Sequence, residues 1–478
     1  MIEQVSSLDN PQALRETVRT GPVYSGSGGT GSVRRVFSAA CAAIMLCAEG
    51  IGAGPVTLSY AGWNAAPAKG APALDTLELR MIAAWNEAHP EAQVTSVQQL
   101  DPVTWEERLA AAARSGTLPD VFAVRSLPRA ITGGWLADIT DLVFADPDWR
   151  YVPIPVGNAV FHDHAVIALP FTQQLLGYFV NIDLVAGERY PVPDSRWTVA
   201  QFEALVGSLA RPRKRVLGLS EEVQIPEWYP AAASSRLRWF AWDGRRYNLD
   251  SAEFIAGVQM ARRFFASGWV FDALKEEQKK NLDSSWPGEA WEKGSVALHW
   301  GGTWSLSSCA RLGFAWEFIG VPGGRTPIVN DWLGISRSST HPAAAYQFAR
   351  WMSFSVDGSV ARLRIAGEEG LPVKSLPLTT DPRVLRAYFQ SWGTPGIRRL
   401  YTSLDAGIME GLNVVPGYQM SRWNAGISAD RKAGDVIWNS IRGALKITEW
   451  APRLNEAANQ ELRKAAAAGS ELLDNVRP

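Results

Sequence analysis

The stretch DTLELRMIAAWNEAHPEAQVTSVQQLDPVTWEERLAAAARSGTLPDVFAVRS, residues 75–126, alternates helix with strand, and each boundary carries a chemical mark. In its first segment Leu79, Ile82, Ala83 and Asn86 share one helical face, with Leu77, Met81 and Trp85 beside it. His89-Pro90 ends that helix, because proline disfavours helical geometry in the residue before it. The run Gln93-Val94-Thr95-Ser96-Val97 has the length and β-branched content of a strand. Asp101-Pro102 predicts the start of a second helix, with Asp as cap and Pro at the first helical position. Ser115-Gly116 closes it, and the apolar run Val121-Phe122-Ala123-Val124 follows as a strand. Helices and strands alternating at these lengths predict βαβ crossovers and a parallel sheet, an α/β fold.

Working back along the chain, PVTLSY (residues 55–60) is a strand that precedes this unit. Open α/β sheets bind ligands beyond the carboxyl ends of their strands. Those ends carry Trp63-Asn64 after the first strand and Arg125-Ser126 after the third. Trp63 has two readings, a face for a ligand or a ring packed between loop and helix.

The chain of 478 residues is long enough for two domains or two large lobes. With 47 basic and 48 acidic residues its net charge is −1, which offers no field suited to nucleic acid. No apolar run reaches the roughly 20 residues of a membrane-spanning helix. The unusual number is 21 Trp. Trp presents a large flat apolar face with one donor, and most of these rings are expected in the core. The 3 Cys exclude a disulfide framework and a Cys-rich metal site, Cys309 being a small hydrophobe of the body. His162-Asp163-His164 predicts two imidazoles on one strand face, and two ligands do not make a zinc site. No metal site and no cofactor are expected.

Residues 1–54 read as a leader. Their Gly/Ser-rich SGSGGTGS lacks the preceding strand and the Gly-Lys-Ser/Thr of a phosphate loop. Arg34-Arg35 precede an apolar stretch, residues 36–48, of signal-peptide length. Arg-Arg-Val-Phe resembles a twin-arginine signal and Ile44-Met45-Leu46-Cys47 a lipoprotein box, with Val33 and the bulky Leu46 departing from the two patterns. Export to the periplasm or cell surface is expected, free or lipid-anchored.

NEAHPEAQV and WEERLAAAARSGTLPDVFAV resemble the N-terminal lobe of the extracellular solute-binding proteins of ABC importers, the carbohydrate-binding, maltose-binding-protein-like cluster. The resemblance continues through ALPFTQQ and YFVNIDLV, PDSRWTVAQFEALVGSLA, WEKGSVAL, GVPGG, STHPAAAYQFARWMS and LPVKS, and covers nearly everything after Val56. It implies a two-lobed fold of the periplasmic-binding-protein type II, each lobe a mainly parallel sheet flanked by helices and joined by hinge crossings. Lobe 1 would comprise residues 55–167 and 327–371, and lobe 2 residues 168–326 and 372–478. Gln173 and Gln174 would lie at the mouth between lobes, where amides suit hydroxyl groups. The aromatic-dense stretch with Trp228, Tyr229 and Trp242 would face the cleft, and Trp423 is a weaker candidate. Trp300 and Trp304 flank Gly301-Gly302, where backbone can approach a ligand closely. Asp331-Trp332 replaces the family's usual Gly-Gly pair and would add a hydroxyl acceptor and a stacking face. Thr198 and Gln201 form a capping box, which is structural. Pro452 is expected to break or kink the last helical stretch.

The implied function is a monomeric receptor that closes on a sugar or oligosaccharide and delivers it to permease subunits of an ABC importer, touching the membrane only through them or a lipid anchor. A secreted glycoside-acting enzyme would share the Trp-rich cleft, but it needs two carboxylates about 5–10 Å apart. The adjacent pairs Glu106-Glu107, Glu221-Glu222 and Glu368-Glu369 do not share a helical face. A relative with degenerate binding, acting as sensor or scaffold partner, is the third reading.

Overall fold

The computed structural model describes residues 54–67, 76–211 and 215–474. The expected leader and its export signals fall on residues 1–53, outside the described residues. Among the described residues no helix is long and apolar enough to cross a membrane.

Local chemistry sets the first unit. Thr76 caps the helix Leu77–Ala88 by accepting from the Leu79 N–H at 3.2 Å. Met81, Ile82 and Trp85 are buried, and the His89 ring stacks on Trp85 with centroids 3.7 Å apart, closing the helix. The strands on either side, β1 (Val56–Gly62) and β2 (Ala92–Gln99), pair in parallel, and β3 (Val121–Val124) pairs in parallel on the other edge of β1. The second helix starts at Trp105 rather than at Pro102. The Asp101 carboxylate accepts from the Val103 and Thr104 N–H groups at 2.8 and 3.0 Å, so it shapes a turn before the helix instead of capping it.

The remaining strands of the main sheet are β4 (Leu169–Asn181), β5 (Leu217–Leu219), β6 (Val296–Gly302), β7 (Trp316–Gly320), β8 (Pro327–Ile335) and β9 (Ile408–Met409). All nine join one sheet in the order β2-β1-β3-β8-β4-β6-β5, with β9 on β8 and β7 on β4. The two ends of this sheet are parallel, β2-β1-β3 at one and β6-β5 at the other. Antiparallel pairs in it all involve β4 or β8, the long strands that carry the chain between the halves.

Two hydrophobic clusters flank this sheet. One contains Leu58, Phe122, Trp332 and Phe348, the other Tyr178, Trp197, Trp228, Phe254 and Leu454. Alternation along β4 sends Phe179 into the first and Tyr178 and Val180 into the second.

Two local expectations are corrected. His162 and His164 do not share a strand face. Phe161–His162 and Ala165–Val166 form a hairpin whose turn holds Asp163 and His164 at φ of 46° and 68°. Asp and His tolerate that left-handed geometry better than most residues. Pro452 neither breaks the last helix nor ends it, and Ile447–Asp474 runs through as one element. Near a helix start the proline removes a single hydrogen bond, and the buried Ala451, Leu454 and Ala458 hold the helix on the second cluster.

Candidate functional site

Four elements bring one set of side chains together. The end of β1 supplies Trp63, the end of β3 Arg125, β4 Thr172 and β8 Asp331. Thr172 and Asp331 lie directly opposite each other on the crossing strands, and the threonine hydroxyl donates to the carboxylate at 3.1 Å. Arg125 places Nε 3.8 Å from Asp331 Oδ1 while its Nη1 donates to the Pro102 carbonyl at 3.3 Å. Burial raises the Asp331 pKa, and Arg125, the Thr172 hydroxyl and the nearby Trp63 N–H partly offset it. Among the described residues that buried indole N–H has no partner at full hydrogen-bond geometry, and the Asp331 carboxylate is the acceptor it acts on. The Trp63 ring rests edge-on against Trp105, with centroids 6.5 Å apart.

Glu410 extends this group. It is buried beside Arg125 and accepts from the Leu412 N–H at 2.9 Å. Burial pushes its carboxyl up to about 7, against the pull of that N–H and of Arg125. Tyr418 lies within its field, and its hydroxyl accepts from the Trp239 indole at 2.7 Å. Trp239 in turn stacks on Trp300, at 6.4 Å between centroids. Direct contacts thus join Tyr418, Trp239 and Trp300, while Glu410 is coupled to Arg125 and to Tyr418 only through its charge. Phe240 and Ala241 hold left-handed backbone at φ of 52° and 55°. Bulky residues adopt that conformation only where packing imposes it, and here it fixes the turn that aims Trp239.

At the carboxyl end of β5, Ser220 accepts no role by chance of exposure: it is buried, and its hydroxyl accepts from the Trp300 N–H of the backbone at 2.9 Å. The neighbouring Gln224 amide donates to Glu221 at 2.7 Å. Glu222 is only 1% exposed, and among the described residues neither of its oxygens has a partner. Burial first, then Asp272 and Glu221, push its carboxyl up to about 8, while its own backbone N–H and Arg442 oppose them. The unfolded carboxyl titrates near 4.5. Stability from this group is therefore fully present below pH 4.5 and is lost as pH rises through about 8. Thermal unfolding at pH 5 and pH 8 should show a smaller loss of stability across that interval in Glu222→Gln than in the wild type. Equal losses would contradict it.

The other candidates sit as follows. Asn64 is exposed and its backbone N–H donates to Glu78 at 3.0 Å, while Ser126 is the half-buried cap residue of the helix Leu127–Thr132. Trp304 is 49% exposed, and its ring lies over Gly302, where a Cβ would meet it at 2.2 Å and push it aside. Trp242 is half-buried against Tyr247, and Trp423 stacks under the Arg422 guanidinium at 3.9 Å. Tyr229 lines a groove with Arg196, Trp197 and Gly323, away from the Asp331 group.

Four candidates are corrected. Trp228 is fully buried and its N–H donates to the Tyr178 hydroxyl at 2.9 Å, so it is core. Trp332 is fully buried too, because strand alternation sends it to the face opposite Asp331. Gln173 is buried, donating to the Pro377 carbonyl at 3.2 Å. Gln174 has both ends of its amide engaged, donating to Lys374 O at 2.6 Å and accepting from the Thr303 hydroxyl at 2.7 Å. Trp239 belongs to the aromatic-dense stretch expected at the cleft but is buried at 2% exposure, while Glu410 and Tyr418 were not anticipated, since they meet the others only through the fold. Among the described residues no group of three or more His, Cys, Asp or Glu is placed to hold a metal ion.

The family profile described as bacterial extracellular solute-binding protein matches residues 71–355, more than half of the chain. A search of curated proteins returns no match. Solved structures with the same fold include an ABC substrate-binding protein from Listeria monocytogenes in complex with cycloalternan. It is 18% identical at a TM-score of 0.64, over 86% of this chain and 99% of that one. The sugar-binding protein MalE from Xanthomonas citri is 14% identical at a TM-score of 0.65, over 88% and 100%. The cyclic alpha-maltosyl-1,6-maltose binding protein from Arthrobacter globiformis is 16% identical at 0.62, over 86% and 100%.

Proposed function

Since the chain belongs to the bacterial extracellular solute-binding proteins, we propose that it binds a sugar or oligosaccharide between two lobes and hands it to an ABC importer, without catalysis. The lobes are residues 55–167 with 327–371, and 168–326 with 372–478. The observation that carries this reading is the convergence of Trp63, Arg125, Thr172 and Asp331 where the crossing strands meet the ends of β1 and β3. Carboxylate and guanidinium groups bond sugar hydroxyls, and indole faces cover the apolar face of a pyranose. The sugars named for the Listeria, Xanthomonas and Arthrobacter structures support that choice of ligand.

Micromolar affinity corresponds to about −8 kcal/mol. Hydrogen bonds to charged groups contribute about 1.5–3 kcal/mol each, so Arg125 and Asp331 with one or two stacked rings reach that range. Closure is a hinge motion about β4 and β8, favoured by ligand because only the closed state offers both walls. The protein acts outside the cell as a monomer, free or lipid-anchored, and the permease subunits are its protein partners.

Glu222, raised to about 8 beside Glu221 and Asp272, resembles the acid of a glycosidase, but at 1% exposure it is out of a substrate's reach. Calorimetry with a panel of linear and cyclic gluco-oligosaccharides, alongside chromatography of the same mixtures, tests the proposal. Saturable binding with intact sugars is expected. Hydrolysed sugars would overturn the receptor reading, and absence of binding across the panel would favour a sensor or scaffold role.

A further inference from the structure

A cavity of about 150 Å³ opens beside the Thr172 side of the site, lined among others by Asn64, Glu78, Thr172, Arg362, Lys374 and Ser375. That volume holds a six-membered ring. Its neutral groups are engaged. The Thr172 hydroxyl serves Asp331, and the Ser375 hydroxyl accepts from the Gln173 N–H at 2.9 Å and donates to Leu376 O at 2.8 Å. The Glu78 carboxylate accepts from the Tyr60 hydroxyl at 2.8 Å and the Asn64 N–H at 3.0 Å.

Arg362 differs. It projects from the helix Val356–Glu369, and among the described residues its guanidinium makes one hydrogen bond, from Nη2 to the Met352 carbonyl at 2.5 Å. A guanidinium has five N–H donors. Among the described residues no carboxylate lies within ion-pair distance of it, Glu78 acting on it only through space. Lys374, exposed at the rim, adds a second positive charge. Burial disfavours the charged forms of both Glu78 and Arg362, and their mutual attraction opposes it, so Lys374 at the rim is the cavity's solvent-exposed charge.

We propose that this cavity receives a carboxylate carried by the sugar ligand, read by the Arg362 fork, so that the protein prefers acidic sugars. The proposal rests on the sugar-receptor reading. Thr172 joins the two sites: its hydroxyl orients Asp331 for the ring hydroxyls while its position borders the cavity that takes the acid. A planar carboxylate matches the two parallel N–H bonds a guanidinium offers, and a neutral hydroxymethyl group does not.

The test is calorimetry at low salt with glucuronate, galacturonate and mannuronate, each against its neutral hexose, and with neutral malto-oligosaccharides. At least one uronate should bind about tenfold or more tightly than its parent, and Arg362→Gln should bring the two within about twofold. Should that variant not fold, the wild type at high salt is the substitute. The uronate preference should shrink there, and an undiminished preference would overturn the charge reading. Neutral sugars binding without any uronate preference would overturn this cavity assignment alone. Failure of every acidic and neutral sugar to bind would overturn the receptor reading as well.

Discussion

Asp331→Ala should lower affinity for the best sugar of the calorimetric panel by about 100-fold or more while leaving thermal stability within a few degrees of wild type. The loss follows from what the carboxylate does. It is the acceptor that Thr172, Arg125 and Trp63 surround. Its removal deletes a charged acceptor for ligand hydroxyls and leaves Arg125 held by its hydrogen bond to the Pro102 carbonyl, with Glu410 acting on it only through charge. Two charge-assisted hydrogen bonds at about 1.5–3 kcal/mol each account for the size of the effect. Stability should hold because burial already disfavours the charged carboxylate, so the folded chain gains little from it. Asp331→Asn, which keeps the shape and loses the charge, should fall between the two. An Asp331→Ala protein that binds within about threefold of wild type would remove this residue from the site.

Trp228→Ala should behave in the opposite way, lowering unfolding free energy by about 3–5 kcal/mol with little change in affinity for the molecules that remain folded. The ring is fully buried between Tyr178 and Phe202, at 6.2 and 5.3 Å between centroids. Truncation leaves a cavity among rings that cannot all close on it, and the Tyr178 hydroxyl loses its donor. Denaturant titration gives the first quantity and calorimetry the second. A large loss of affinity without loss of stability would restore Trp228 to the ligand site.

These two residues show what the sequence made legible. The first helix and the strands around it were readable because most boundaries carried a residue with one local job, such as Pro90 as a stop, although Asp101-Pro102 marked a turn rather than the start of the second helix. The Thr198 capping box is a further case, with Gln201 N–H to Thr198 Oγ1 at 3.2 Å and Thr198 N–H to Gln201 Oε1 at 2.7 Å. Arg125 and Trp63 came from the rule that ligands sit beyond strand ends, and Asp331 from its departure from a Gly-Gly pattern.

Indole rings were harder to place. Trp228 and Trp300 belong to equally aromatic stretches, and only packing separates a ring enclosed on all sides from one with a face left partly open. Asp331 and Trp332 are neighbours in sequence and lie on opposite faces of one strand, a distinction that needs the strand's register. Gln173 and Gln174 offered donors and acceptors in sequence, but the backbone segment around Lys374 and Pro377 claims them. Glu410 and Tyr418 had no local signal, since each acquires its place from segments remote in the chain, whereas Trp239 was marked by the aromatic density around it.

The most direct test of the account is small-angle scattering of the protein with and without a saturating concentration of the sugar that calorimetry identifies. The account predicts that ligand reduces the radius of gyration, and that Asp331→Ala shows no such change at the same sugar concentration. A wild-type protein whose scattering is unaltered at full saturation would contradict closure of two lobes on a ligand.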